Sequence, residues 1–250
     1  MKRGLFILAG VAVALVAASS FATREARCDP YAGLPRTHLR YEDLPGPGAT
    51  PSAANFPRVV RQPPGARLHA PSGFRILQAA SGFDTPRAMA LAPNGDVFLS
   101  DSGRGEIVVL RDPNGDGRFD ARMIFAGGLD RPFGLAFAPG ALFVGTEGKL
   151  LRFPYRGGDA KPTAAPVTLI DLPEGGHWTR DVLYDPRANR VYVSVGSRSN
   201  RDEESFPRAS VFWFNSREEK ARPRPFATGL RNAVSLAREP GTGALWAVVN

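Results

Sequence analysis

Beyond residue 73, apolar and polar positions alternate in short bursts, and no ten-residue stretch shows the 3.6-residue period of a helix. Four segments follow one plan: "TPRAMALAPNGDVFLSDS", "RPFGLAFAPGALFVGTEG", "TRDVLYDPRANRVYVSVG" and "RNAVSLAREPGTGALWAVVN". Each reads as an apolar strand, a turn with proline and usually glycine or asparagine, and a second apolar strand. The turn prolines are Pro93, Pro139, Pro186 and Pro240, at spacings of 46, 47 and 54 residues. Between the units come "GEIVVLRD", "KLLRFPY" and "SVFWFN", built from residues that suit a pleated, half-buried surface. A period of about 45–50 residues with roughly four short strands per unit predicts an all-β fold, a β-propeller. A β-sandwich with fortuitous repeats is the alternative. From Phe74 there is room for about three and a half to four blades, and propellers close with about four to eight. The last unit stops at "ALWAVVN", in the middle of a blade. An open propeller exposes bare strand edges, so the expectation is a truncated chain, an incomplete gene product, or closure by oligomerisation.

In a propeller the strand-turn-strand of each unit is the inner pair of a blade, and the loop entering it lines the axial mouth. "FDTPR", "GLDRPF", "GGHWTR" and "TGLRN" therefore fall at equivalent positions around one face, which groups Arg87, Arg131, Arg180 and Arg231. The third of these loops is unusual. The chain has three histidines, His38, His69 and His177, and only His177 lies in the repeating body. After Gly175-Gly176 it reads either as a turn residue or as a general base, since imidazole titrates near neutrality. Trp178 is placed to stack on a ligand or to pack in the core. Asp181 is placed to orient a neighbour or to cap the strand.

A second pattern is "DPNGDGRFD". Asp112, Asn114, Asp116 and Asp120 stand at positions 1, 3, 5 and 9 of a calcium-loop spacing, with Gly117 at the turn. Position 12 is Met123, so the bidentate acid of that motif is missing. A rigid turn rich in Asp and Asn explains the same residues. If calcium binds there, the site is peripheral and stabilising.

Composition narrows the setting. Lys2 and Arg3 precede a 13-residue apolar run, Leu5 to Ala17, and Ser20-Phe21-Ala22 offers a cleavage site. Residues 1–22 read as a secretory signal, too short for a comfortable membrane span, with an uncleaved anchor as the alternative. Its removal lowers the formal net charge of +8 by two, to +6. Residues 23–72 form a lead rich in proline, glycine and alanine, and residues 73–250 form the repeating domain. The single cysteine, Cys28, cannot form an internal disulfide, and it has no lipid-attachment context. An exported chain held by packing alone suits a bacterial periplasm or secretion. The basic residues are scattered rather than interleaved with aromatics, which argues against nucleic-acid binding. Serine-hydrolase elbows, zinc-protease helices, paired-cysteine zinc patterns and dinucleotide fingerprints are all missing.

Several motifs occur in order: "RPFGLAF", "LFVGTEGKLLRFPYRGGD", "VTLIDLPEGGHWTRDVLYDP", "VYVSVGSRSN" and "FATGLRNAVSLAREPGTGALWAVVN". Together they resemble the sorbosone/glucose dehydrogenase family, over about residues 70–250 and the preceding lead. The resemblance implies an exported six-bladed propeller, here incomplete, that uses pyrroloquinoline quinone (PQQ) and calcium. It implies oxidation of a sugar or aldehyde, with electrons passed on to an acceptor such as a cytochrome or a quinone. His177 matches that family's general base, and Arg231-Asn232 its cofactor-binding Arg-Asn pair. Near "GLRN" the family carries Pro and Gly where this chain has Ala233 and Ser235. The family's remaining basic residues for the quinone carboxylates come from later blades, so the expectation includes a fragment inactive alone. The alternative is a non-catalytic propeller that binds a ligand or partner. A calcium-dependent lactonase is a third reading, for which convergent acidic ligands at the axis are wanting.

Overall fold

The computed structural model describes residues 40–43, 49 and 58–250. The signal-like residues 1–22 and Cys28 lie outside the described residues, as does most of the proline-rich lead. The chain divides into two compact units, residues 1–49 and 50–250. In the first, the described residues form one 3-10 turn, Tyr41–Asp43. The Asp43 carboxylate accepts the Arg40 N–H at 3.0 Å.

The second unit holds fourteen strands among its described residues and no helix. The first sheet consists of β1 (Pro86–Leu91), β2 (Val97–Asp101), β3 (Glu106–Arg111) and β4 (Ala121–Ala126). The second consists of β5 (Leu135–Ala138), β6 (Ala141–Gly145), β7 (Lys149–Pro154) and β8 (Val167–Asp171). The third consists of β9 (Val182–Asp185), β10 (Arg190–Val195), β11 (Ser210–Asn215) and β12 (Arg224–Thr228). The fourth is the pair β13 (Ala233–Arg238) and β14 (Leu245–Val249). Within each sheet consecutive strands pair antiparallel, and no strand crosses to another sheet. This is the up-and-down plan of propeller blades. Pro93, Pro139, Pro186 and Pro240 each fall in the turn between the first two strands of their sheet, as the repeat requires.

One irregularity recurs. The register slips between the third and fourth strands at Ile107/Val108, at Leu150/Leu151 and at Val211/Phe212. A bulge sharpens local twist, and here it sits in the same place in all three four-stranded sheets.

The sheets stack face to face, and each seam has its own apolar core. Phe98, Ile107, Val109 and Phe125 of the first sheet pack against Leu135, Leu142, Val144 and Phe153 of the second. Phe143, Leu150 and Leu169 of the second meet Val191, Val193, Phe212 and Phe214 of the third. Tyr192 and Val211 of the third meet Ala233 and Leu236 of the fourth. The outer face of the first sheet, with Leu99, Val108 and Leu110, is covered by Ala80, Phe83 and Phe119. Residues 58–85 carry no strand of their own, and Phe74 itself is exposed. The inner strands β1, β5, β9 and β13 lie next to one another in sequence order. The loops entering them therefore open on one side.

Candidate active site at the start of the inner strands

The loop between β8 and β9 carries His177, and its path leaves little choice of residue. Gly176 has φ of +72°, and a Cβ there would stand 2.5 Å from the Arg198 Cα. Gly196 follows β10; a Cβ on it would stand 2.5 Å from the His177 Cβ. The His177 N–H donates to the Ser197 carbonyl at 2.9 Å, and the Gly175 N–H donates to Glu147 Oε1 at 2.9 Å. His177 is thereby pressed against the end of β10 with its imidazole half-buried.

The side chain facing it comes from the next sheet. Arg231 Nη1 lies 3.4 Å from His177 Nε2 and donates to Asn200 Oδ1 at 2.6 Å. A second Arg231 nitrogen donates to the Asn250 carbonyl. Burial pushes the His177 pKa down and the Arg231 charge pushes it further; the Asn200 hydrogen bond and the Glu204 charge oppose both. A base held below its ordinary value is neutral at neutral pH. Removing the guanidinium by Arg231→Ala is expected to raise the His177 titration midpoint part of the way back, since burial remains. The imidazole proton resonances followed against pH check this, and an unmoved midpoint would remove Arg231 from that role.

Trp178 completes the surface. Its ring meets Phe133 edge to face, with centroids 5.7 Å apart and planes at 86°. The Arg87 guanidinium lies 5.0 Å from the indole centroid and that of Arg131 lies 5.7 Å from it. Arg131 also pairs with Glu147 Oε2 at 2.8 Å, a partner that the sequence reading missed. Three of the four grouped arginines therefore converge on His177 and Trp178. Arg180 does not: its side chain is fully buried and turned into the protein.

Asn232 lies beneath this surface, 5% exposed, where its Oδ1 accepts the Thr179 hydroxyl at 2.5 Å. Asp181 makes a second tie across the same seam. Its carboxylate accepts the Leu236 N–H at 2.6 Å, and its own N–H donates to the Ser194 hydroxyl at 2.9 Å. Burial raises the Asp181 pKa to about 6 despite its hydrogen bonds. The folded state thus holds this proton more tightly than the unfolded chain does. Its contribution is undiminished below about pH 4, falls as pH rises to about 6, and stays low above that. Asp181→Asn cannot ionise yet keeps an oxygen for Leu236. It is expected to gain about 1–3 kcal/mol over the parent at pH 7.5 and almost nothing at pH 4. Urea unfolding of both proteins at the two pH values checks the sign.

An open cavity of about 500 Å³ adjoins Arg231, lined by Ser197, Ser199, Asn200, Asp202 and Glu204 among others.

The loop from Asp112 to Asp120 does not gather as a cation site. The Asp112 carboxylate accepts the N–H groups of Gly115 and Gly117 at 2.8 and 2.9 Å. Asn114 and Asp116 accept those of Asp116 and Arg118 at 2.9 and 2.8 Å, and Asn114 Nδ2 donates to Asp120 at 2.9 Å. The twelfth position, Met123, lies in β4 and offers no oxygen. No group of three His, Cys, Asp or Glu placed to hold a metal occurs among the described residues. The carboxylates of this loop are bonded to its own amides.

An anionic planar cofactor is a different matter. Arg87 and Arg231 have no carboxylate partner among the described residues, and Arg87 is held only against the Trp178 and Phe133 rings. Guanidiniums beside an indole, as Arg87 and Arg131 are, match the carboxylates and the flat ring system of a molecule such as PQQ. Arg87, Arg131, Arg231 and Trp178 are the side chains that fit it.

Known proteins agree with this architecture. The chain is 22% identical over 200 residues to a pyrroloquinoline quinone-dependent sugar dehydrogenase of Hypocrea jecorina (strain QM6a), covering 72% of this chain and 46% of the relative. The holo PQQ domain of pyranose dehydrogenase from Coprinopsis cinerea superposes with a TM-score of 0.65 at 21% identity, over 75% of this chain and 49% of that one. The Trichoderma reesei enzyme of carbohydrate-active family AA12 superposes with a TM-score of 0.61 at 21% identity, over 68% and 47%. The chain spans about half the length of these relatives. At such identities the superpositions establish the propeller fold. Residues 68–250 match the model of the TrAA12-like family, and the chain belongs to that family.

Proposed function

We propose that the protein is a PQQ-dependent dehydrogenase that oxidises a sugar or a related aldehyde. The observation that carries this reading is the imidazole of His177, held neutral 3.4 Å from the Arg231 guanidinium on a surface with two further arginines and a tryptophan. When bound, the quinone supplies a two-electron acceptor for hydride. His177 Nε2 takes the proton from the substrate hydroxyl as the hydride leaves. Arg231 bears on the negative charge that develops beside it. Trp178, braced by Arg87 and Arg131, gives the flat wall. Hydroxyls and carboxylates of the adjoining cavity suit the hydroxyl groups of a sugar. The name of the Hypocrea jecorina relative and the PQQ-bound domain from Coprinopsis cinerea support the choice of cofactor. The signal-like residues 1–22 support a periplasmic or secreted location, where a cytochrome or a quinone serves as electron acceptor.

The test is titration of the full-length protein with PQQ, followed by Trp fluorescence and by dye-linked oxidation of a panel of aldoses and aldehydes. Saturable binding that Arg231→Ala weakens, together with turnover of at least one sugar, is the expected result. A protein that binds the quinone with no turnover would be a ligand-binding propeller. One that neither binds nor turns over would overturn the reading altogether.

A further inference from the structure

Arg180 is among the largest fully buried side chains, with no exposed surface. Its guanidinium has no carboxylate partner among the described residues. It donates to three main-chain carbonyls: Pro173 at 2.5 Å, His177 at 2.8 Å and Thr179 at 2.8 Å. Its Nε has no hydrogen-bond partner among the described residues. The nearby Glu147 is bonded elsewhere, to Arg131 and to the Gly175 N–H. Burial pushes the Arg180 pKa down to about 10, and the Arg208 charge adds to the effect.

Such an arrangement is costly for packing alone. A buried cation without a counter-ion loses several kcal/mol of hydration, and an apolar side chain of similar volume fills the same space without that loss. What the guanidinium provides is a fork with three receivers. All three belong to one loop, the one that carries His177 and Trp178. The Arg180 carbonyl in turn accepts the Gly134 N–H at 3.1 Å, just ahead of β5. Gly134 and Gly145 crowd that carbonyl, where a Cβ would stand 2.6 or 2.3 Å away. Arg180 is thus fixed at its main chain by the second sheet and grips the loop with its side chain.

We propose that Arg180 is a positioning residue. By holding the carbonyls of Pro173, His177 and Thr179 from beneath, its guanidinium sets where the His177 imidazole and the Trp178 indole stand. It acts on the reaction only through them, so its part in catalysis rests on the assignment of His177 above. Its part in the geometry does not.

The experiment compares Arg180→Lys and Arg180→Met with the parent in the full-length protein. Amide hydrogen exchange is read for residues 174–179 against β6, β7 and β10. The His177 titration is read by NMR without cofactor, with the resonance identified by its loss in His177→Asn. PQQ affinity and the separate effects on kcat and KM complete the set. The lysine variant keeps the charge but lacks the planar fork. In it, exchange within 174–179 is expected to speed at least tenfold while the three strands stay protected. The His177 midpoint is expected to move, and kcat to fall more than KM rises. Unchanged loop exchange and an unchanged midpoint in a folded variant would overturn the proposal. So would exchange that rises equally everywhere, or failure of both variants to fold, because Arg180 would then be a residue of the seam as a whole. A loosened loop and a shifted midpoint with wild-type turnover would leave the positioning intact and remove His177 as the base.

Discussion

Replacing His177 with asparagine is expected to lower dye-linked turnover by about 10²–10⁴-fold, with little change in PQQ affinity or in melting temperature. Asparagine fits where histidine does because the constraint lies in the main chain. The N–H at 177 still reaches the Ser197 carbonyl, and the Cβ still rests against Gly196. What disappears is the nitrogen proposed to take the proton. In the parent, activity should rise with pH as the imidazole loses its proton. The half-point should lie below the ordinary histidine value, because burial and Arg231 both hold the pKa down. Above that pH the profile should be flat until another group intervenes. Single-turnover reduction of the bound cofactor, followed between about pH 4.5 and 8.5, measures both effects. A His177→Asn protein within about twofold of the parent would end the assignment of His177 as base.

The other large effect belongs to the fold. Phe98, on β2, is completely buried in the seam between the first and second sheets. Its ring meets Phe125 at 5.1 Å and 67°, Phe137 at 5.0 Å and 87°, and Tyr155 at 5.4 Å and 87°. Three edge-to-face partners from two sheets cannot all follow a shrinking neighbour. Phe98→Ala therefore leaves a cavity and is expected to cost about 3–5 kcal/mol. Phe74→Ala, at a side chain 76% exposed, is expected to change stability by less than about 0.5 kcal/mol. Guanidinium unfolding of the pair sets the scale. A loss below about 1 kcal/mol for Phe98→Ala would mean that this seam closes around the gap.

The strand repeat was legible because its cues are local. A proline turn between two alternating apolar runs needs no knowledge of the partner sheet, so Pro93, Pro139, Pro186 and Pro240 located all four inner pairs. The outer strands β4, β8 and β12 were harder to see. Their faces are largely exposed, as at Arg122, Ile124 and Phe226, and their sequences lack a sustained apolar run.

In the site, the spacing of the repeats placed the four arginines at equivalent points along the chain, and there it stopped. Which way a side chain turns depends on main-chain angles and on what lies beside it. Arg131 takes a positive φ of 43° and reaches the surface over Trp178. Arg180 turns inward because three carbonyls of its own loop wait there. The pairing of Arg131 with Glu147 joins residues 16 apart in different loops, and no single-sequence pattern marks it. The stretch "DPNGDGRFD" was ambiguous for a related reason. Asp and Asn at those positions satisfy either a cation or neighbouring amides, and only the arrangement in space distinguishes the two.

His177 and Arg231 belong to different sheets: His177 precedes β9, and Arg231 precedes β13. The seam between those sheets has the smallest apolar core of the three, and Thr179–Asn232 and Asp181–Leu236 add polar ties across it. A molecule held by both residues would act as a stitch. Its binding energy would count toward keeping the third and fourth sheets together, and saturation at a hundred times Kd would raise their apparent stability by about 2.7 kcal/mol. Cofactor supply would then set not only whether the protein works but how long this part of it survives heat and proteases.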